Sequence, residues 1–372
     1  MLSVYGGTNF YIGKRMYRWL SIVFHNMNWI LFTAVYLLLI FTVFLGFMPI
    51  PSGLRRTINW VSAHWMGVYV YLLMLILLAD IVMLLGRLTR VIPAPLPQSV
   101  HFFAGVIIIL MTTGIISYGK YNAGRFSDIS YTIETNKKEP SAGIKIVLVS
   151  DLHLGAVNSE KRLPALVQGI NKQEPDIVCI AGDIFNDDIT SLRNPSEAIR
   201  LLKSIKAAYG VYACFGNHDG GKTINEMFSF LEQSGIKLLN DEYAVIDEKL
   251  VIIGRLDSSP IGGFGGLKRK DISGITALID KNLPIVVMDH NPSNIGQYGD
   301  EIDLILSGHT HRGQIFPANL VTRAIYTVDY GHYRKTAGSP HVIVTSGAGT
   351  WSMPMRIGTN NEIVSILMRG KQ

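Results

Sequence analysis

Three long uncharged runs near the start of the chain constrain its fold more than any other feature. Trp29 to Met48 is twenty residues without a charge, Trp65 to Leu85 is broken only by Asp80, and Phe102 to Tyr118 is uncharged again. A hydrocarbon layer needs roughly 20 apolar residues in a helix, with about 17 as the lower limit. All three runs therefore predict membrane spans, the third gaining a little margin from Val100 and His101. The apolar residues make up 48% of the 372-residue chain, and their excess lies almost wholly before residue 120. A cleaved signal peptide would have a shorter apolar region, about 7 to 15 residues, followed by a small-residue cleavage site. Here the first run is longer and others follow, so residues 1–120 read as a membrane anchor of three helices and residues 121–372 as a globular domain.

The flanks of these runs add detail. In "FYIGKRMYRWLSIVF", Lys14 and Arg18 stand four apart among aromatics, which suits a helix lying in the membrane interface or a polar extension of the first span. Asp80 inside the second run is costly unless it finds a partner, so it reads either as a functional group or as a helix-to-helix hydrogen bond. The net charge is +6 and the pI about 9.1, yet no basic helix or aromatic-interleaved basic stripe occurs, so no nucleic-acid partner is expected. Lys14, Arg15, Arg18, Arg87 and Arg90 fall on one side of the spans, and Arg55, Arg56, Lys120 and Arg125 on the other. The positive-inside rule then places the N-terminus in the cytoplasm and the C-terminal domain outside. Cys179 and Cys214 each sit in an apolar run and read as buried free thiols.

From about Tyr121 the pattern changes. "ISYTI" reads as a first short strand, set off by "IETNKKEPSAG" from the main body. "IKIVLVS", "DIVCIAG", "GVYACFG", "LPIVVMD" and "IDLILSG" follow as buried strands bounded by turn-formers. Helical stretches alternate with them, such as "NPSEAIRLLKSIKAAYG", with Asn194 as cap, Pro195 in the first turn and Gly210 as terminator. "LLNDEYAVIDEKLVIIG" reads as an antiparallel hairpin, and so does "HVIVTS" with "EIVSILM". The fold class that results is α/β, with a mixed pair of β-sheets packed between helices.

Each buried strand is followed by polar side chains of one kind. Asp151 and His153 follow the first, Asp183 the second, Asn217, His218 and Asp219 the third, His290 the fourth, and His309 and His311 the fifth. Ligands in layered α/β folds bind beyond the carboxyl ends of strands, so these groups are expected to converge. Oxygen and imidazole donors without thiolates suit manganese, iron, zinc or cobalt. Asp151, His153, Asp183, Asn217, His290, His309 and His311 are more donors than one tetrahedral ion can use; two ions sharing a carboxylate would occupy them all.

The blocks "SDLHLG", "AGDIFND", "FGNHDG", "MDHNP" and "SGHTHRGQ" stand in this order over residues 145 to 317, and with them the chain resembles the calcineurin-like metallophosphoesterases. The later "GAGTWSMPMRIG" with "EIVSILM" is similar to the tail of the bacterial membrane-associated branch, from which Arg312 departs, since glycine is usual there. The resemblance implies two mixed sheets packed as a sandwich flanked by helices. It also implies Asp151, His153 and His311 on a first divalent ion, Asn217, His290 and His309 on a second, and Asp183 bridging them. His218 would then face the phosphoryl group as a catalytic acid, with Asp219 fixing its tautomer. The implied activity is hydrolysis of phosphodiester or diphosphate bonds by metal-activated water at the bacterial plasma membrane. Related bacterial enzymes cleave a uridine-diphosphate-linked diacylglucosamine, which points to a lipid-linked or nucleotide-lipid substrate. A soluble nucleotide phosphodiesterase and a non-catalytic scaffold on the same fold are the alternatives, the scaffold disfavoured by the intact histidines.

Other positions carry weaker signals. Arg255, Arg312 and Arg356 are candidate substrate-binding residues, with Asp257, Tyr330 and His332 beside them. Asp176 and Asp303 read as strand-entry residues, and Asp187 and Asp188 as a solvated loop in which Asp187 could support the metal site. "PIGGFGGLKRK" reads more readily as a solvated loop than as a phosphate or headgroup cradle.

Overall fold

The computed structural model of the chain describes residues 2–46, 48, 50–92, 95–137, 143–157 and 159–371. Lys138 to Ala142, within the segment expected to follow the first strand, and Phe47, within the first apolar run, lie outside the described residues. The chain divides into two compact units, residues 1–121 and 122–372.

The first unit is helical: α1 (Leu2–Val23), α2 (Trp29–Leu45), α3 (Ser52–Leu88) and α4 (Gln98–Asn122). The basic aromatic segment is thus a helix of its own rather than an extension of the first span, because the chain turns at Phe24 to Asn28. Asn28 then caps α2, its side chain accepting from the backbone N–H of Ile30 at 2.9 Å and Leu31 at 3.1 Å. Ile12 of α1 packs into an aromatic-rich core with Tyr36, Trp65, Tyr69, Leu72 and Ile76. Helices α3 and α4 are long and apolar enough to cross a membrane. The expected count of three narrows here, since α2 has 17 residues and a length of only about 25 Å at 1.5 Å per residue. Asp80 of α3 accepts from the Tyr11 hydroxyl and the Arg15 guanidinium of α1, a helix-to-helix pairing that satisfies this partly exposed carboxylate.

Among the described residues the second unit contains twelve strands: β1 (Phe126–Thr135), β2 (Ile144–Val149), β3 (Ile177–Ala181), β4 (Val211–Cys214), β5 (Ile236–Leu238), β6 (Glu242–Ile246), β7 (Leu250–Gly254), β8 (Ile285–Met288), β9 (Leu304–Ser307), β10 (Gly331–Tyr333), β11 (His341–Val344) and β12 (Asn361–Gly370). They form two six-stranded mixed sheets, ordered β1-β12-β2-β3-β4-β5 and β10-β11-β9-β8-β7-β6. Strict alternation along each strand explains the layering. Ile146, Leu148, Cys179, Tyr212 and Cys214 face the second sheet's Leu250, Ile252, Val286, Met288, Leu304 and Leu306. Val147, Val149, Val178, Ile180 and Ala213 face the opposite way, under α5 (Ser159–Lys172), α6 (Pro195–Lys203) and α7 (Ile224–Gln233). The two cysteines are free and buried in the inter-sheet core, and burial pushes the Cys179 thiol up to about 12. Short α8 (Ile272–Thr276) covers the outer face of the second sheet.

Two local expectations change. Asn194 does cap α6, accepting from the Glu197 N–H at 3.2 Å, but the helix ends at Lys203, seven residues before Gly210, where Ser204 takes the cap. "LLNDEYAVIDEKLVIIG" forms the antiparallel β6–β7 pair. "HVIVTS" and "EIVSILM", however, lie in different sheets: β11 runs parallel to β9, while β12 pairs with β1 and β2. Alternation specifies which face a strand buries and says nothing about its neighbour. Asp176 accepts from the N–H of Lys145 at 2.7 Å and Asp303 from that of Ile285 at 2.9 Å, clipping strand entries together.

Candidate metal centre

β2, β3 and β4 run parallel in one sheet, and β8 and β9 run parallel in the other. Their carboxyl ends carry Asp151, Asp183, Asn217, His290 and His309 in turn, so the sandwich delivers polar groups from both sheets to one edge. The backbone is bent sharply there: φ is +54° at Asp151, +46° at His153, +52° at Asp183, +70° at His309 and +48° at His311. Left-handed backbone is uncommon without glycine and concentrates at functional sites. Gly216 lets the strand-end loops close on each other, because a Cβ there would lie 2.3 Å from Asp183 Oδ1.

Two groups of donors result, Asp151 with His153 and His311, and Asp183 with His290 and His309. His311 Nε2 lies 3.4 Å from Asp151 Oδ1 and 3.0 Å from His153 Nε2. His309 Nδ1 lies 2.8 Å from Asn217 Oδ1 and 3.3 Å from His290 Nε2. One oxygen, Asp183 Oδ2, faces both groups, at 3.7 Å from His153 Nε2 and 3.2 Å from His290 Nε2. His290 Nδ1 donates to the Ala181 carbonyl at 2.8 Å, which turns Nε2 inward.

The electrostatics fit a cation. Burial lowers His153 to about 3 and His309 to about 4 and puts His311 well below its ordinary value, so these imidazoles are neutral, as metal ligands must be. His153 Nδ1 is buried without a hydrogen-bond partner. Burial pushes Asp151 up to about 6. His290 departs from the pattern: burial acts against its charge, but Asp183 beside it raises it well above the ordinary histidine value. Positive charge is therefore favoured at Asp183, where a divalent ion shared by both groups would supply it.

The supporting residues are partly those expected and partly not. The His218 N–H donates to Asp183 Oδ1 at 2.9 Å, which places its ring beside the donors, 5.1 Å from His153. Its Nδ1 meets Asp187 at 2.6 Å, not Asp219. Burial acts against charge on His218, while this Asp187 contact and the nearby Asp183 raise it. Asp219 is fully buried and accepts the N–H groups of Phe185, Gly216 and Ile184 at 2.7, 2.8 and 3.2 Å. It organises the loops, and the tautomer role expected of it belongs to Asp187. Asp187 itself is not merely a solvated loop residue.

The three candidate substrate arginines also separate. Arg356 is 0% exposed, donating to the carbonyls of Gly349 at 2.6 Å, Ser346 at 2.7 Å and His311 at 3.1 Å, while burial pushes it down to about 9. It buttresses the His311 turn and cannot reach a substrate. Arg255 is 1% exposed, paired with Asp241 at 3.2 Å and bonded to the Lys270 carbonyl at 2.7 Å. Arg312 alone is accessible, next to His311, with its guanidinium 4.2 Å above the Tyr330 ring. Tyr330 in turn donates to Glu362 at 3.0 Å. Asp257 is buried, and the exposed His332 stacks on His341 instead. In the glycine-rich loop, Arg269 pairs with Asp289 at 2.6 Å and the Ile261 N–H bonds Asn217 O at 2.8 Å, so the loop is pinned to the site.

Some neighbours were not singled out from the chain. Trp351, within the "GAGTWSMPMRIG" block, is exposed, with its ring 6.0 Å from that of His218, and its carbonyl accepts from Gln314 at 2.8 Å. Tyr326 stands edge-on to His309 at 6.2 Å. It follows α9 (Ala318–Ile325), which packs against the His311–Gly313 turn with no buried residue of its own. The alternating apolar pattern of "NLVTRAI" carried only an amphipathic signal.

Comparison with known proteins agrees with this geometry. Residues 144–313 match the Calcineurin-like phosphoesterase family. An uncharacterized metallophosphoesterase of Aquifex aeolicus is 30% identical over 242 residues, which cover 65% of this chain and 91% of that protein. One from Campylobacter jejuni is 26% identical over 385 residues, covering 100% and 98%. The "Transmembrane protein with metallophosphoesterase domain" of Danio rerio is 28% identical over 360 residues, covering 92% and 80%. The chain belongs to the calcineurin-like phosphoesterase family and is a metal-dependent phosphoesterase, with two residue groups able to hold the ions of the family's dimetal centre.

Proposed function

We propose that the chain is a membrane-anchored phosphohydrolase acting on a lipid-linked phosphodiester or diphosphate, with residues 1–120 as anchor and 121–372 as catalytic domain. Asp151, His153 and His311 would hold one ion, Asn217, His290 and His309 the other, and Asp183 would bridge them. Bound divalent ions supply Lewis-acid polarisation of the ester and acidification of the attacking water. His218 is oriented by Asp187 on Nδ1, leaving Nε2 to donate a proton to the leaving oxygen. Arg312 beside the His311 turn provides a positive charge for a second phosphate or headgroup. Flanking arginines and lysines favour a cytoplasmic N-terminus and an external catalytic domain; cysteine-accessibility labelling in intact cells tests that orientation.

The lipid reading rests on one observation. Leu320, Val321 and Ile325 of α9 are 54%, 58% and 68% exposed, Phe316 before it and Trp351 are exposed as well, and α9 packs against the His311 turn. Exposed apolar clusters of this kind mark interaction sites. An acyl chain laid on α9 would bring its phosphate to the metal ligands, and an anchor beside a bilayer raises the effective concentration of such substrates. The test is turnover by the full chain in nanodiscs with Mn²⁺. Leu320→Ser with Ile325→Ser should raise KM for an amphiphilic diester roughly tenfold, as expected for two partly exposed side chains, and leave bis-nitrophenyl phosphate unaffected. Equal losses on both substrates would refute the lipid role.

A further inference from the structure

The helical unit contains a cavity that the catalytic reading leaves unused. It lies between α1, α3 and α4 with a volume of about 600 Å³, inside the roughly 300–1,000 Å³ range of ligand pockets. Ile22, Leu72, Ile76, Met83 and Ile108 form its apolar wall. Trp19 is fixed across one side, its Nε1 donating to the Phe102 carbonyl at 3.0 Å and its ring stacked on Phe102 at 6.4 Å. Gly105 permits that close approach, since a Cβ there would fall 1.9 Å from the indole.

Charge is distributed unequally around this cavity. Arg15, Arg18 and Arg87 line it together with one carboxylate, Asp80. Asp80 is engaged by Arg15 and the Tyr11 hydroxyl. Arg18 and Arg87 are exposed and have no carboxylate partner among the described residues. Three guanidiniums against one carboxylate leave two positive charges uncompensated, with His101 alongside. Such charges lining a cavity together with an apolar wall match a molecule with an anionic head and a hydrocarbon tail. Basic pockets between membrane helices bind anionic headgroups in this way. A free inorganic phosphate would leave the apolar wall unused, and a zwitterionic lipid would bring its own cation to the arginines.

We propose that this cavity is a binding site for one anionic glycerophospholipid, with its phosphate on Arg18 and Arg87 and an acyl chain along the wall. The site lies wholly within the helical unit and stands independently of the substrate reading. Native mass spectrometry of the full chain released from nanodiscs of equal parts phosphatidylglycerol and phosphatidylcholine tests it. One phosphatidylglycerol should be retained per chain, at roughly thirtyfold preference, given about a fivefold step for each of two basic residues near a headgroup. Arg18→Gln with Arg87→Gln should bring the preference to within about twofold, and Arg18→Lys with Arg87→Lys should keep most of it. The glutamine pair should leave metal-dependent turnover of a soluble diester unchanged. Equal retention of both lipids by the native chain, an unchanged preference in the glutamine pair, or displacement of the lipid by inorganic phosphate would each overturn the proposal.

Discussion

The two units handle their carboxylates on opposite terms. In the helical unit, Asp80 meets Arg15 and Tyr11, and its charge is compensated on the spot. In the catalytic unit, Asp151 and Asp183 are buried among imidazoles that burial keeps mostly neutral. Two imidazole nitrogens that face each other at 3.0 Å, His153 Nε2 and His311 Nε2, need a proton or a cation between them. A cluster that neutralises itself is structural, whereas one that brings mostly neutral imidazoles and two buried carboxylates together can hold an ion.

Substitutions in the two clusters should therefore behave differently. The largest effect is expected at the shared carboxylate: Asp183→Asn should lower kcat by on the order of 10²- to 10³-fold, because Lewis-acid stabilisation is worth several kcal/mol. Metal content by elemental analysis should fall with it, and retained content with retained activity would break the contrast. His218→Ala should cost about 10²-fold or more in kcat on an ester with a poor leaving group. The loss should be much smaller on a nitrophenyl ester, where no proton is needed, and metal content should stay the same.

Asp187 and Asp219 sharpen the comparison within the site. Asp187→Asn should reduce kcat roughly tenfold, in line with the loss of a group that orients a ligand or an acid, without altering the melting temperature. Asp219→Asn should act chiefly on stability, since hydrogen bonds to a charged group are worth roughly 1.5 to 3 kcal/mol each and Asp219 accepts three. Thermal unfolding followed by circular dichroism separates the two. Removal of metal by a chelator should lower the melting temperature as well, because an ion at 100 times its Kd stabilises by about 2.7 kcal/mol. The smallest effect belongs to Asp80→Asn, which should change turnover of a soluble diester by less than about twofold. A large loss there would mean that Asp80 has work beyond pairing helices.

Much of the candidate metal centre was legible in the chain, because each donor that converges there follows a strand whose apolar alternation marks where it ends. Asp151 and His153 after "IKIVLVS", or His309 and His311 after "IDLILS", need only that local reading. The supporting residues were less legible. Asp219 neighbours His218 in the chain, yet the hydrogen bond goes to Asp187, 31 residues away, because the Asp219 carboxylate is already filled by backbone N–H groups. Arg356 and Arg255 resembled substrate contacts only because a guanidinium is usually exposed. Here both lie inside the fold, Arg356 donating to carbonyls and Arg255 paired with Asp241 and donating to the Lys270 carbonyl.

The amino-acid sequence by itself determined the apolar runs, the strands with their buried faces, and the order of the donor-bearing blocks, since periodicity and donor type are local properties. Tertiary structure alone decided which sheet receives "EIVSILM", which carboxylate holds His218, and which arginine stays free. It also left an apolar face on α9 beside the site and, at a cavity between helices, two arginines with no carboxylate partner among the described residues. Those outcomes depend on which distant groups compete for the same hydrogen bonds and the same buried space, and no stretch of chain carries that information alone.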